Sequence, residues 1–159
     1  MAWRFFTAGG VAKTGEYVEL ATPSNDYKVL GLHQLTSTTA TTGTHTTMQD
    51  EGLTKSIVYG PSRVLRVSIQ VHPYANPAQR IYFRLVRGST GLIRFTTPTF
   101  VNAGRYESFF WSYVFNGPAT AATETFKVQF AAIDANSAVE SFGDATSPRV
   151  LLVEDLGPQ

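Results

Sequence analysis

Residues 63–87 read R-V-L-R-V-S-I-Q-V-H-P-Y-A-N-P-A-Q-R-I-Y-F-R-L-V-R. Leu65, Val67, Ile69 and Val71 alternate with Arg66, Ser68, Gln70 and His72; Ile81, Phe83 and Leu85 alternate with Tyr82 and Arg84. In an extended chain successive side chains point to opposite faces, so each run has one apolar face and one polar face, which is the pattern of a half-buried strand. Pro73, Asn76 and Pro77 punctuate the segment between them. Two such runs joined by a short Pro/Asn turn predict a β-hairpin.

The same period recurs along the chain. Strands are expected near residues 3–7, 16–20, 27–35, 53–59, 92–95, 106–115, 126–132 and 149–155, with Gly31 as a bulge or a point of close approach. Residues 36–47, almost all Thr, Ser, Ala and Gly, predict a loop giving way to an edge strand near Gly43, and residues 134–147 a polar loop. No segment has a helical period, and aromatic residues make up 13% of the chain, which again favours strands. The spacing predicts an all-β, antiparallel jelly-roll sandwich over residues 25–159, preceded by an arm, residues 1–24. At 159 residues, such a domain holds a sizeable core.

Composition narrows the chemistry. With no cysteine there is no disulfide, thiolate metal site or cysteine nucleophile. His33, His45 and His72 fall on separate segments, and neither Asp50-Glu51 nor Glu154-Asp155 belongs to a calcium-loop pattern; these carboxylates are expected to be solvent or interface charge. There is no G-x-S-x-G, phosphate loop or dinucleotide fingerprint. The expectation is a protein that is not an enzyme and uses no cofactor and no metal. The opening apolar run is too short for a secretory signal and no later one has the length of a membrane helix, so a soluble chain without membrane insertion is expected.

Net charge is +1, but no Asp or Glu lies between Glu51 and Glu107, whereas Lys55, Arg63, Arg66, Arg80, Arg84, Arg87, Arg94 and Arg105 do. Basic central strands offset by acidic flanking ones account for this; a basic face turned to an anionic partner is the sharper alternative, with nucleic acid disfavoured by the lack of a Lys/Arg cluster or motif. The partner or receptor contacts this suggests are Tyr74, Asn76, Arg80, Tyr82 and Arg84. The most aromatic run, Y-E-S-F-F-W-S-Y-V-F from Tyr106 to Phe115, puts Phe109, Trp111, Tyr113 and Phe115 on one face and Phe110, Ser112 and Val114 on the other. Both faces are apolar enough to be covered, one by a second sheet and one by another subunit. Phe110, Trp111 and Tyr113, with Trp3, Phe5 and Phe6 of the arm, are therefore the candidate subunit or virion interface.

The opening M-A-W-R-F-F-T-A-G-G-V-A-K-T resembles the openings of small virion proteins of tailed bacteriophages. S-P-R-V-L-L-V-E-D-L-G-P-Q, residues 147–159, resembles the closing strand of minor tail and fibre-head domains in phages of actinobacteria. L-T-K-S-I-V-Y-G-P-S-R-V-L-R-V-S-I-Q-V and R-I-Y-F-R-L-V-R are similar to the paired strands of those jelly rolls, which also look like the trimeric heads of the complement and tumour necrosis factor superfamily. The resemblance implies a homotrimeric structural protein on the virion, bound to other virion proteins and meeting a host cell-surface glycan. It carries no catalytic residue across, and, unlike longer minor tail proteins, almost no shaft or anchoring domain is expected in these residues. A capsid decoration protein is the nearest alternative, and a carbohydrate-binding module using Tyr74, Tyr82 or Trp111 as stacking platforms is one from another class.

Overall fold

A computed structural model describes residues 27–40, 47–75, 80–96, 104, 106–132 and 139–159. The described residues form ten strands and no helix: β1 (Lys28–Leu35), β2 (Thr39–Ala40), β3 (Gln49–Tyr59), β4 (Arg63–Ala75), β5 (Ile81–Arg87), β6 (Thr90–Thr96), β7 (Phe109–Asn116), β8 (Ala122–Ala132), β9 (Val139–Phe142) and β10 (Arg149–Pro158). One sheet runs β1-β10-β4-β9-β2 with β7 on the far side of β4; the other runs β3-β8-β5-β6. All pairings are antiparallel.

Setting aside the short β2 and β9, the remaining strands pair as a long hairpin rolled around itself: β1 with β10, β3 with β8, β4 with β7 and β5 with β6. Successive pairs fall in alternate sheets, which is the jelly roll. The expected hairpin from residue 63 to 87 is therefore corrected. β4 pairs β10, β7 and β9, while β5 pairs β8 and β6, so the chain between them crosses from one sheet to the other. Alternation specifies that a strand has one buried face; it does not specify which strand lies beside it. The polar segment 134–147 also contains a strand, β9, which continues the edge of β4 beyond the end of β10. The turn from β9 to β10 is braced by the Asp144 carboxylate, which accepts from the Thr146 and Ser147 amides and the Thr146 hydroxyl. Those bonds, the Thr146 hydroxyl first, hold the Asp144 carboxyl below its usual range. The expected arm and Gly43 edge strand lie outside the described residues.

The apolar phases meet between the sheets. Leu65, Val67, Ile69 and Val71 of β4, Leu151 and Val153 of β10, Phe83 and Leu85 of β5, and Phe126, Val128 and Phe130 of β8 are all buried. Phe83 stacks on Phe130 at 5.8 Å between centroids and meets Trp111 at 5.4 Å. Each such fully buried side chain stabilises the fold by about 1.5–3 kcal/mol through removal from water. Gly31 fulfils both expectations: the β1–β10 register shifts between Val29 and Gly31, and a Cβ at Gly31 would lie 2.7 Å from Cγ of Lys55 and 2.9 Å from Cγ2 of Ile57 on β3.

A salt bridge inside the sandwich joins the two sheets. Glu51 of β3 and Arg149 of β10 are both fully buried, and the Arg149 Nη1 donates to the Glu51 carboxylate and, at 2.7 Å, to its carbonyl. Ser141 donates to Glu51 at 2.6 Å, the Leu53 amide does so at 3.2 Å, and Arg149 Nη2 reaches the Ser37 carbonyl and the Thr39 hydroxyl. Burial pushes the Glu51 carboxyl upward, opposed by the Arg149 charge and the Ser141 bond. The expectation of a solvent or interface charge at Glu51 is thus overturned, and so it is for Glu154 and Asp155, which are 3% and 2% exposed.

Candidate assembly surface

The outward faces of the two sheets carry different side chains. On the β1-β10-β4-β7 sheet, register places Leu32 beside Leu152 and Val29 beside Glu154, then Leu152 beside Ser68 and Glu154 beside Arg66. Ser68 is in turn opposite Ser112, Gln70 opposite Phe110 and Arg66 opposite Val114. Phe110 is 66% exposed, Val29 55%, Val114 49% and Leu32 45%. Arg66 spans the middle, donating from Nε (2.6 Å) and Nη2 (3.0 Å) to Glu154, with the Tyr27 ring 5.8 Å from its guanidinium carbon. Desolvation raises the Glu154 carboxyl above its ordinary range. Ser68 donates to Ser112 at 3.3 Å and Arg66 to Glu154, so exposed apolar side chains stand around two internally bonded polar pairs.

β7 edges this sheet. Phe109, Trp111 and Phe115 pack against the core, and Tyr113 stacks on Phe115, so they are half-buried; Phe110, Ser112, Val114 and Asn116 are exposed. Of the residues expected to form the interface, Phe110 faces outward, whereas Trp111 and Tyr113 face the second sheet. Trp3, Phe5 and Phe6 lie outside the described residues.

Beyond β7 the outward face ends in an aromatic cluster. Tyr106 bridges to Tyr74, its ring 4.8 Å from that of Tyr74 and 4.3 Å from that of Phe142. Beside it His72 is held by both ring nitrogens, Nδ1 2.9 Å from the Ser108 hydroxyl and Nε2 3.4 Å from the Pro148 carbonyl. The Pro148 carbonyl can only accept, so Nε2 is the donor of that bond. The ring's nitrogens therefore meet a serine and a backbone carbonyl, which makes a brace between strands. Among the described residues no three His, Asp or Glu side chains gather in a metal-binding group. Phe142 sits in the segment expected to be loop, so sequence reasoning missed it; Tyr106 was visible only as part of the aromatic run.

The remaining partner candidates are dispersed. Tyr74 is on the outward face of the first sheet, Tyr82 and Arg84 are on that of the second, Arg80 is exposed just before β5, and Asn76 lies outside the described residues. Arg84 donates to Gln129 at 2.7 Å; Gln129 donates to Asp50 at 2.5 Å, and Lys127 pairs with Asp50 at 3.2 Å. The Gln129 bond is the main cause of a lowered Asp50 carboxyl. Arg87 pairs with Glu124 at 2.5 Å, donates to the Tyr59 hydroxyl and lies 4.9 Å over the Phe115 ring. Arg63 and Arg66 meet Asp155 and Glu154. Central cations thus find flanking acids through strand pairing, as the first reading of the charge pattern holds.

No family model matches this chain. No curated protein matches it either. Among solved structures it is similar to the "Structure of infectious bursal disease virus Gx strain" at TM-score 0.45 and 10% identity, over 86% of this chain and 38% of that one. It is similar to the "Crystal structure of infectious bursal disease virus VP2 subviral particle" at 0.41 and 11%, over 86% and 38%. The "Structure of infectious bursal disease virus Gt strain" follows at 0.38 and 10%, over 82% and 38%. The chain thus spans well under half the length of each.

Proposed function

We propose that this chain is a non-enzymatic structural protein of a tailed-bacteriophage virion, built into the particle surface through copies of itself and other virion proteins. The observation that carries the reading is the outward face of the first sheet, where Val29, Leu32, Phe110 and Val114 stand exposed around an internally satisfied Arg66–Glu154 pair. Such a face on a monomer in water is a surface to be covered. The resemblance of the opening and of residues 147–159 to phage virion proteins points to the particle. It also favours a trimeric minor tail or fibre-head domain, with residues 1–24 as an arm bringing Trp3, Phe5 and Phe6 to a neighbour. The capsid decoration reading shares all of this except the location.

Gold-labelled antibody on purified particles tests the proposal. Label on tails or fibre heads is expected; label on heads moves the protein to the decoration role, and unlabelled particles overturn the virion reading. A carbohydrate contact is favoured by one observation, the Tyr74–Tyr106–Phe142 cluster, since an exposed ring offers a sugar a stacking face. Glycan-array binding lost on Tyr106→Ala is expected for that role, and silence on the array excludes it.

A further inference from the structure

Among the described residues, the four long strands at the sheet edges are not built alike. β1 carries an extra residue between Val29 and Gly31 and has Lys28 at its start. β3 bulges between Asp50 and Thr54, where Gly52 takes a φ of 102°, and carries Lys55. β6 carries an extra residue opposite Leu85/Val86 and has Arg94 in its sequence. Bulges and cations are the devices that stop an edge from pairing with another chain. β7 has neither: F-F-W-S-Y-V-F-N runs in unbroken register against β4 from Phe109 to Asn116, and the bridge from Tyr106 to Tyr74 keeps that register. Among the described residues no strand pairs its other edge.

The sequence of this edge reads almost the same in both directions about Ser112. Phe109 matches Phe115, Phe110 matches Val114, Trp111 matches Tyr113, and beyond them Ser108 matches Asn116. We propose that β7 pairs antiparallel with β7 of a second copy about a twofold axis at Ser112, fusing the two first sheets into one continuous sheet. This deepens the reading that the chain assembles with itself by naming the strand and the symmetry. Across such an axis exposed Phe110 meets the second copy's Val114 on the outward face. The half-buried Phe109 and Trp111 meet Phe115 and Tyr113 on the inward one, so aromatic and aliphatic side chains find cross-strand partners. No charged residue lies between Glu107 and Glu124, so the twofold brings no like charges together along the paired edge.

Phe110, with about two-thirds of roughly 200 Å² exposed, and Val114 supply only part of the roughly 800 Å² per partner of a standard interface. The isolated contact is accordingly weak and reversible, suited to an assembly in which several contacts act together. A twofold contact does not close a trimer; it makes a dimer or joins two trimers, and the number of chains becomes even.

Because the chain has no cysteine, Ser112→Cys reports on this axis directly. Residues directly opposite in an antiparallel pair have Cα atoms about 4.5–5.5 Å apart, inside the range a disulfide spans. Under mild oxidation the full-length S112C protein is expected to yield a disulfide dimer, while F110C, which faces Val114 across the axis, yields at least tenfold less. Adding Phe110→Lys to S112C should lower the yield at least tenfold, whereas adding Val58→Lys, at a 71% exposed position on the other sheet, should leave it unchanged. Circular dichroism melting of each variant separates lost pairing from lost fold. Folded S112C that gives no dimer, or one formed equally well with F110K, overturns the proposal; so does an odd number of chains by light scattering with no cross-link. Cross-linked protein absent from labelled particles would overturn the virion reading and leave the β7 pairing standing, and uncross-linked protein on particles would do the reverse.

Discussion

The two sheets share one core but present different outer surfaces. On the β3-β8-β5-β6 sheet the outward positions are mostly polar, among them Thr54, Ser56, Thr125, Lys127, Gln129 and Arg84, linked laterally by hydrogen bonds such as Ser56–Thr125 and Arg84–Gln129–Asp50, with Val58 an exposed aliphatic exception. On the other sheet Val29, Leu32, Leu152, Phe110 and Val114 replace them, and Arg66 is paired with Glu154 among them. A sheet that is polar and cross-linked outside is finished as a surface; one that is apolar outside with an uncharged, unbulged edge is finished only when something lies against it. The buried core alone does not reveal this difference, because both sheets contribute to it.

The strongest way to break the arrangement is to remove the tie on which both sheets depend. Arg149→Ala leaves Glu51 buried without its cation and should cost about 3–5 kcal/mol, read as a lower denaturant midpoint. Next is the place where β1 closes onto β3: Gly31→Ala forces a Cβ against Lys55 and Ile57 and should cost about 1–3 kcal/mol by the same measurement.

A pair of substitutions then sharpens the contrast between the outer faces. Arg66→Ala strips the partner from nearly buried Glu154 and should cost about 1–2 kcal/mol at neutral pH, allowing for the partial exposure of Arg66. Arg84→Ala, on the face where Gln129 keeps its bond to Asp50, should cost under about 1 kcal/mol. The two should also differ in pH dependence. The Glu154 carboxyl is already raised, so the folded state takes up its proton more readily than the unfolded one. Loss of Arg66 raises it further, so R66A should regain stability relative to wild type as pH falls toward the usual glutamate range, and R84A should not.

The smallest effect belongs to Tyr59, which donates to Glu124 at 2.5 Å and is pushed up to about 12 by burial first and that bond second. The unfolded hydroxyl ionises near 10, so stability contributed by neutral Tyr59 is intact below that pH and lost as pH rises toward 12. Tyr59→Phe should flatten that part of the alkaline melting profile while changing little at neutral pH.

Much of this architecture was legible in the sequence because period-two patterning is local. Leu65 to Val71, Ile81 to Leu85 and Phe126 to Phe130 each announce a strand and its inner face, and Gly31 marks a close approach. What was not legible was neighbourhood. Nothing in residues 63–87 indicates that β4 and β5 part into different sheets, and nothing near Glu51 reveals Arg149 waiting 98 positions away. Phe142 was hidden by a polar setting and by the brevity of β9. At the candidate surface, alternation separated Phe110 from Trp111 and Tyr113, but which set faces the core depends on Phe83 and Phe126 of the second sheet. The contrast between β7 and the other long edge strands among the described residues was likewise invisible until their bulges could be seen.

The placement of β10 has a consequence for how the molecule comes into being. Residues 149–158 lie between β1 and β4, so ribosomal synthesis must pass them before those two strands have anything between them and before Glu51 gains its counterion. Until then the nascent polypeptide holds a half-made layer and a carboxylate with no cation beside it, a state that chaperones are built to shelter. Closure therefore waits on β10, and a product cut short before residue 149 would lack both the central strand and the lock.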